Sequence, residues 1–406
     1  MTVTFQPSVA QGEIAAPPSK SMAHRLLICA GLAEGESVIS NADPSEDILA
    51  TVDCLNKLGA YARYCEKERA VTVRGTDLRN VFEGAVLNCR ECGSTLRFFI
   101  PLCLLNGGAY VLTGSERLFN RPLSVYETIC RAQGLRFEQN GNRLTVSGKL
   151  KSGEYEVAGN VSSQFISGLL FALPLLDGDS KIKIIPPIES KPYILMTMQA
   201  LEVFGVKADF EDETTVTVKG NSRYTAKNVT VEGDFSNAAF FDAFNVIGGT
   251  VSVSGLSENS LQGDKIYRRY FRLLKSGFSE IDVSDCPDLA PVLMAIAAVL
   301  NGAKLTGTKR LKIKESDRGA AMAEELSKCG VSTVLKENEI TVYPGAEAPK
   351  EMLYGHNDHR IVMALSVLLS KLGGKVEGAE AVKKSFPDFF DRLRTVGIQL
   401  SKDVLL

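Results

Sequence analysis

Basic and hydroxyl side chains recur in this chain where apolar helices are predicted to begin. The segments are Pro17-Pro18-Ser19-Lys20-Ser21, Gly93-Ser94-Thr95-Leu96-Arg97, Val161-Ser162-Ser163-Gln164, Ser190-Lys191-Pro192-Tyr193, Lys314-Glu315-Ser316-Asp317-Arg318 and His356-Asn357-Asp358-His359-Arg360. The unpaired N–H groups and the dipole of a helix N-terminus attract anions. A Lys or Arg there has the wrong charge for the dipole but the right charge for a bound phosphate or carboxylate. The pattern therefore predicts a site for a phosphorylated, carboxylated small molecule.

Two acidic residues, Asp288 and Glu315, also lie beside predicted helix starts. An acid in that position is favourable for the helix dipole, which would be a structural role. Two carboxylates in unequal environments can also exchange protons with a substrate. The spacing leaves both interpretations open.

Single residues in these segments have ordinary structural interpretations as well. Ser before a helix is typically an N-cap, and His24 is interpreted as structural because it lies in an apolar stretch without a partner in the sequence. The recurrence of the whole pattern at equivalent positions is what favours a binding site.

The elements that position these residues belong to an internal repeat. An apolar run ends in a Gly that leads into a β-like segment at Gly35, Gly107, Gly178, Gly248, Gly302 and Gly373. A second series closes a later helix at Gly59, Gly134, Gly205, Gly277, Gly330 and Gly397. Both series have a period of about 70 residues, and both shorten to about 54 between the fourth and fifth copies. Two markers with one period indicate six copies of one structural unit.

Each copy is predicted to run strand, helix, strand, helix, strand, since Gly stops a helix in the left-handed conformation and β-branched alternation favours strands. Residues 26–30, 98–105, 169–176 and 292–300 form helices with almost no polar face. Such helices are expected to be buried, with the sheets outside them. The fold class is therefore α/β.

The length of 406 residues exceeds the roughly 250 to 300 at which single cores stop growing, so we expect two domains of three repeats each. The predicted crossings lie near Pro18-Ser19 and Gly233-Asp234. One domain then contains residues 1–19 and 234–406, and the other residues 20–233. The sixth copy lacks its final strand, which the segment 3–5 is predicted to supply.

The composition is that of an ordinary globular protein, with 45% hydrophobic and 23% charged residues and a formal charge of −2. No apolar run approaches ~18 residues and the start is not basic, so a cytoplasmic location is predicted. Nine scattered Cys favour reduced thiols over disulfides. Cys89 and Cys92 form a C-x-x-C pair, and we favour inert thiols over a redox or zinc half-site because no second pair exists.

Taken together, the segments above and Lys384-Ser385-Phe386-Pro387-Asp388 resemble, in order, the signature segments of the 5-enolpyruvylshikimate-3-phosphate synthase family. The resemblance spans nearly the whole chain. It implies two similar domains, each of three βαβαββ units. It implies transfer of the enolpyruvyl group of phosphoenolpyruvate to the 5-hydroxyl of shikimate 3-phosphate, with release of phosphate, on the route to chorismate and the aromatic amino acids. No metal or organic cofactor, nucleic acid or membrane partner is expected, and the expected state is a monomer.

The resemblance also assigns roles to residues. Those similar to the family's phosphoenolpyruvate site are Lys20, Gly93, Arg121, Gln164, Arg318, Arg360 and Lys384. Those similar to its shikimate 3-phosphate site are Ser21, Arg25, Ser162, Ser163, Ser190, Tyr193 and Lys314. Asp288 and Glu315 match the two carboxylates of proton transfer, and Lys20 is placed to protonate the departing phosphate. The sequence leaves open which of the two carboxylates removes a proton and which delivers one.

The chain departs from the family pattern at Glu91, an acid beside an anion site, and at Arg310, where Asn is common. Three other classes of protein fit the sequence less well. A transferase of enolpyruvyl to UDP-N-acetylglucosamine typically has Asn after the first Lys and a reactive loop Cys, whereas Ser21 follows Lys20 and residues 115–118 contain no Cys. An RNA 3′-phosphate cyclase needs a His nucleophile, for which no match is present. A DNA sliding clamp needs basic central helices, and these are apolar.

Overall fold

The computed structural model describes residues 1–79 and 84–403. The α-helices are α1 (Lys20–Leu32), α2 (Glu46–Lys57), α3 (Gly93–Leu102), α4 (Glu116–Phe119), α5 (Ser124–Gln133), α6 (Ser163–Ala172), α7 (Lys191–Val203), α8 (Phe235–Val246), α9 (Tyr267–Ser276), α10 (Ala290–Val299), α11 (Arg318–Lys328), α12 (His359–Leu372) and α13 (Phe389–Thr395). Short 3₁₀ helices span Leu173–Leu175, Gly263–Ile266, Pro287–Leu289, Lys309–Ile313 and Ala379–Lys384.

The strands of the first half are β1 (Thr2–Phe5), β2 (Gln11–Ala15), β3 (Ala33–Glu34), β4 (Glu36–Ser40), β5 (Tyr61–Cys65), β6 (Ala70–Arg74), β7 (Val86–Asn88), β8 (Ala109–Thr113), β9 (Arg136–Asn140), β10 (Arg143–Ser147), β11 (Glu154–Ala158) and β12 (Ser180–Ile185). Those of the second half are β13 (Ala208–Phe210), β14 (Thr215–Val218), β15 (Tyr224–Thr225), β16 (Val229–Thr230), β17 (Thr250–Ser254), β18 (Ser279–Asp282), β19 (Ala303–Thr306), β20 (Thr333–Leu335), β21 (Glu339–Val342), β22 (Leu353–Tyr354), β23 (Gly374–Glu377) and β24 (Leu400–Asp403).

The contacts divide the chain into two compact units. The terminal unit consists of Met1–Pro17 and Gly233–Leu406, and the middle unit of Pro18–Glu232. Each unit has its own apolar core. Among the described residues, no helix is long and apolar enough to span a membrane.

Within the described residues, five four-stranded sheets share one topology. In the middle unit the strand orders are β16-β4-β6-β5, β7-β8-β10-β9 and β11-β12-β14-β13, and in the terminal unit they are β18-β19-β21-β20 and β22-β23-β1-β24. In each, the first two strands are parallel and the other two pairings are antiparallel, as in β7 with β8, β8 with β10, and β10 with β9. The recurrence confirms the repeat predicted from the glycines.

The sixth copy takes its third strand from the N-terminus. Strand β1 lies between β23 and β24 and pairs antiparallel with both. Val3 and Phe5 point into the core, with 0% and 1% exposure. The prediction that segment 3–5 supplies the missing strand is confirmed.

The fourth copy is shorter because it has no antiparallel pair. Its strand β17 pairs in parallel with β2, and the chain then passes through α9 directly into β18, the first strand of the fifth copy. This explains the shortened step in both glycine series.

The helices that follow each first strand are buried in their unit. In α10, every residue from Ala290 to Ala298 is buried. Two helix predictions were too long. Helix α3 ends at Leu102, where Leu104 N–H returns to Pro101 O and tightens the last turn. Helix α6 ends at Ala172 and continues as a 3₁₀ turn that contains Pro174, a residue without an N–H for the helical ladder.

Candidate active site

In the terminal unit, the starts of three helices bring charged side chains together. Asp358 is the N-cap of α12, and its Oδ1 accepts the backbone N–H of Arg360 at 2.9 Å. Asp317 caps α11 in the same way, which leaves Arg318 as the first helical residue. Asp288 lies in the 3₁₀ turn before α10. The two N-caps thus fix where α11 and α12 begin, and with that the backbone positions of Arg318 and Arg360.

Arg318 is the centre of this cluster and is 1% exposed. Its Nη1 lies 2.7 Å from Asp288 Oδ1, and its Nη2 lies 2.8 Å from Glu315 Oε2. Its Nε donates to Asp358 Oδ2 at 2.9 Å. Burial disfavours the charge, but the three carboxylates outweigh it and raise the pKa of Arg318 well above its usual value.

Asp288 has three cations around one carboxylate. Besides Arg318, its oxygens lie 3.4 Å from Lys314 Nζ and 3.4 Å from Arg360 Nη2. Burial works against ionisation, yet the three cations together hold the pKa of Asp288 well below its usual value. Asp288 is therefore a carboxylate at neutral pH.

Lys314 lies among other cations and is itself shifted. Burial is the main cause that lowers its pKa below the usual value, Asp288 opposes this, and Arg318 and Arg310 add to the lowering. Arg310, where the family commonly has Asn, thus contributes positive charge near Lys314. The Nη2 of Arg310 donates to the backbone oxygen of Ser284 at 2.6 Å.

Arg360 is oriented by the start of α8. Its Nη2 donates to Ser236 Oγ at 2.6 Å and its Nη1 to Asn237 Oδ1 at 3.0 Å. Lys384 Nζ donates to the backbone oxygen of Asn357 at 2.6 Å, just before α12. Of the residues predicted in this unit, five therefore belong to one network of ion pairs through Asp288 and Arg318; the other three are Lys314, Glu315 and Arg360.

In the middle unit, Lys20 is the first residue of α1, which is capped by Ser19. Its Nζ lies 2.6 Å from Asp47 Oδ2, and both side chains are largely buried. This ion pair fixes the ammonium group where the helix begins.

Arg25 joins the helices α1, α6 and α7. Its guanidinium donates to Thr197 Oγ1 at 2.8 Å, to the backbone oxygen of Ser21 at 2.6 Å and to that of Tyr193 at 3.0 Å. It also lies over the ring of Phe98, 5.4 Å from the centroid. Burial lowers the pKa of Arg25 to about 10, so it stays charged at neutral pH.

Gln164, at the start of α6, has its amide fixed at both ends. Arg97 Nη1 donates to Gln164 Oε1 at 2.7 Å, and Gln164 Nε2 donates to Ser94 Oγ at 3.0 Å. Ser162 is the N-cap of α6 and accepts the N–H of Gln164 at 3.3 Å. Ser163, the first residue of α6, is buried.

Gly93 has a steric reason to lack a side chain. A Cβ there would lie 2.6 Å from Arg121 Nη1, so the guanidinium of Arg121 packs directly on the glycine. Ser190, just before α7, is buried and has a φ of 58° in the left-handed region, which turns the chain into the helix.

Several residues of these clusters were missed from the sequence. Asp47 was overlooked, and Asp358 was recognised within a segment but given no role, because an acid near a helix start has an ordinary capping or dipole role. Ser236 and Asn237 begin the central helix of the fourth copy, whose counterparts in other copies were recognised. Applying the repeat to the fourth copy as well would have predicted Ser236 and Asn237.

Comparison with known proteins gives a consistent result. Residues 5–393 match the family model described as EPSP synthase (3-phosphoshikimate 1-carboxyvinyltransferase). Two relatives are named 3-phosphoshikimate 1-carboxyvinyltransferase, and each is 40% identical to this chain. The match to the protein from Clostridium kluyveri covers 98% of both chains, and the match to the protein from Clostridium novyi covers 96% of both. The EPSP synthase structure from Acinetobacter baumannii aligns with a TM-score of 0.79 at 22% identity, over 99% of this chain and 100% of that one. The enolpyruvyl transferase NikO from Streptomyces tendae aligns at 0.77 with 12% identity, over 98% of both chains.

Proposed function

The chain belongs to the EPSP synthase family, and from this we propose how its residues perform the family's reaction. The protein is a transferase that moves the enolpyruvyl group of phosphoenolpyruvate to the 5-hydroxyl of shikimate 3-phosphate and releases phosphate. It acts in the biosynthesis of aromatic amino acids. The roles of individual residues below are proposals.

The observation that supports these roles best is the environment of Asp288. Its oxygens lie 2.7 to 3.4 Å from three cationic side chains, and one of those cations also holds Glu315. A cluster of fixed cations suits substrates that carry phosphate and carboxylate groups. The paired acids suit a reaction that moves protons on and off the substrate.

The reaction needs three proton transfers at the reacting oxygen and carbon atoms. Addition of the 5-hydroxyl to the enolpyruvyl double bond removes a proton from oxygen and delivers one to the methylene carbon. Elimination of phosphate then takes a proton from that carbon again. We assign these transfers to Asp288 and Glu315, and assign to Lys20 the protonation of the departing phosphate.

The cations around Asp288 also connect binding to catalysis. A carboxylate with a strongly depressed pKa is a weak base. When an anionic substrate draws Lys314, Arg318 and Arg360 toward its own oxygens, those cations hold Asp288 less strongly and its pKa rises toward the working range. Asp288 thus becomes an effective base only with substrate bound.

The remaining residues are assigned to binding. For the anionic groups of phosphoenolpyruvate we propose Arg318, Arg360 and Lys384 of the terminal unit and Lys20, Arg121, Gly93 and Gln164 of the middle unit. For shikimate 3-phosphate we propose Ser21, Arg25, Ser162, Ser163, Ser190 and Tyr193 of the middle unit and Lys314. The buried hydroxyls of Ser163 and Ser190 at helix starts suit a phosphate or sugar-like hydroxyl group.

A phosphate-release assay tests the function directly. With phosphoenolpyruvate present, shikimate 3-phosphate is expected to give release and UDP-N-acetylglucosamine none. Release with the nucleotide sugar alone would contradict the assignment. We further propose a monomer that acts in the cytoplasm without nucleic acid, which light scattering and a nucleic-acid binding assay on the purified protein can test.

A further inference from the structure

Three side chains of metal-ligand type meet next to Lys20. They are His24 of α1, Asp47 of α2 and Cys92, the N-cap of α3. Their ligand atoms all lie within 4.8 Å of one another, and all three residues are buried. The proposed catalytic roles use none of the three.

The spacing of His24 and Cys92 fits a tetrahedral metal. His24 Nε2 and Cys92 Sγ are 3.7 Å apart. Zinc bonds of about 2.3 Å to sulfur and about 2.0–2.1 Å to nitrogen at a tetrahedral angle place the two ligand atoms about 3.6 Å apart. Little movement is therefore needed to accept a cation between them.

The surroundings also prepare the ligands. His24 Nδ1 contacts Thr51 Oγ1 at 2.8 Å, and Thr51 Oγ1 contacts Thr95 Oγ1 at 2.8 Å. With its proton on Nδ1 and donated to Thr51, His24 directs the lone pair of Nε2 toward Cys92, which is the outer-shell arrangement of metal-bound histidines. Burial, with Lys20 and Arg25 nearby, lowers the pKa of His24 well below 6.5 and keeps the imidazole in its neutral, ligating form.

Cys92 must lose its proton to bind a metal. Burial raises the pKa of its thiol to about 12, while the Thr95 N–H donates to Sγ at 3.3 Å and favours the thiolate. Metal binding would therefore release the thiol proton to solvent. The side chains of Lys20 and Asp47, beside the cluster, are 15% and 11% exposed.

We propose that His24, Asp47 and Cys92 form a site for a thiophilic divalent cation such as Zn²⁺, and that its occupancy inhibits the enzyme by taking Asp47 from Lys20. The ion pair of 2.6 Å with Asp47 contributes to holding Lys20 in place. A metal bound to Asp47 would remove that anchor and add positive charge beside the ammonium group. The inhibition rests on the proposed role of Lys20, whereas the binding site does not. The reaction itself is still expected to need no metal.

A second group, Glu324, Glu325 and His356, is a weaker candidate. The carboxylate of Glu325 already accepts from Lys328 at 2.9 Å and from the Tyr354 N–H at 2.9 Å, and lies 2.8 Å from His356. The group offers no thiolate. It therefore serves as the alternative location in the test.

The binding test is a titration of the full-length protein with Co²⁺, whose charge-transfer absorption reports a thiolate ligand, followed by displacement with Zn²⁺. One equivalent is expected to bind with a thiolate band. Cys92→Ser should abolish the band while its hydroxyl still caps α3. His24→Gln should weaken binding at least about 100-fold, since loss of even an outer-shell partner costs about 10- to 100-fold. Cys89→Ser, a buried thiol three residues away, is the matched control and should bind like the wild type.

The inhibition test is made on the same variants. Zn²⁺ should abolish turnover of the wild type and of Cys89→Ser, a chelator should restore it, and Cys92→Ser should resist at the same concentration. Absence of a thiolate band, or equal affinity in Cys92→Ser, would overturn the site and point to the Glu324 group. Stoichiometric binding at Cys92 without inhibition would overturn the proposed effect on Lys20.

Discussion

The carboxylates of Asp288 and Glu315 are held by one guanidinium, since Arg318 Nη1 lies 2.7 Å from Asp288 and Arg318 Nη2 lies 2.8 Å from Glu315. A proton that neutralises one carboxylate leaves Arg318 free to stabilise the charge on the other. The two acids are therefore electrostatically connected through one guanidinium. This arrangement suits a reaction in which one proton is removed and another delivered.

Removing either carboxylate should reduce turnover without preventing binding. General acid and base groups contribute about 10²- to 10⁴-fold in rate, so Asp288→Asn and Glu315→Gln should each lower kcat by that order. Steady-state kinetics measures this, and calorimetry should show that shikimate 3-phosphate still binds. A variant that retains more than about half of the wild-type kcat would contradict the role assigned to its carboxylate.

Asp358 is expected to matter for stability more than its neighbours. It is 0% exposed, and it accepts from Arg318 Nε at 2.9 Å and from Ser316 Oγ at 3.0 Å. Asp358 is one of the three carboxylates around the buried guanidinium of Arg318, and a hydrogen bond to a charged group contributes about 1.5–3 kcal/mol. Asp358→Asn should therefore lower the free energy of unfolding by about that amount in urea.

The control for Asp358→Asn is an exposed pair, Glu127 and Arg131, at 2.9 Å on α5. Glu127→Gln should change the free energy of unfolding by less than about 1 kcal/mol. Equal effects of the two substitutions would mean that Asp358 does not stabilise Arg318 as its geometry indicates.

The fold was predictable from the sequence where its signals are local. Gly134, with a φ of 69°, ends α5, and Gly107, with a φ of 83°, precedes β8, so the two glycine series marked real helix ends and strand starts. The first strands of the first and fourth copies were not predicted. They are β16 and β2, which come from distant parts of the chain, and no local pattern records such pairing.

The residues of the candidate site could be predicted from the sequence, but the ion pairs between them could not. The sequence pointed to Asp288, Glu315 and Arg318, yet nothing in their spacing indicated that one guanidinium joins both acids. That relationship depends on how the turn before α10 packs against α11, which is a tertiary effect. Which of these residues touch substrate stays a prediction.

The N-terminal strand should be essential to the terminal unit. Phe5 is 1% exposed and packs against Phe390 with ring centroids 6.4 Å apart, in a strand that pairs on both sides. Phe→Ala substitutions in cores cost about 3–5 kcal/mol. Phe5→Ala should therefore destabilise the protein by that amount in urea unfolding, whereas Thr4→Ala on the same strand should cost less than about 1 kcal/mol. Similar losses for both would argue against a core role for Phe5.

Arg97 is expected to position Gln164. Its Nη1 donates to Gln164 Oε1 at 2.7 Å and its Nη2 to the backbone oxygen of Pro122 at 3.1 Å, a fork that Lys cannot reproduce. Arg97→Lys should raise the KM for phosphoenolpyruvate about tenfold, corresponding to about 1.4 kcal/mol, with a smaller change in kcat. In a double-mutant cycle with Gln164→Ala the two effects should be less than additive. Full additivity would show that Arg97 acts independently of Gln164.

His24 should make stability depend on pH in a defined window. Burial, and then the charges of Lys20 and Arg25, lower its pKa well below the ordinary 6.5, so the folded protein resists protonating it while the unfolded chain does not. Between that lowered value and 6.5 the unfolded state binds more protons, and stability therefore falls as the pH drops below about 6.5, by at most about 1.4 kcal/mol per pH unit. Urea unfolding from pH 7.5 to pH 5 should show a shallower decline in His24→Gln than in the wild type. Parallel curves for the two proteins would show that His24 is not the group that titrates.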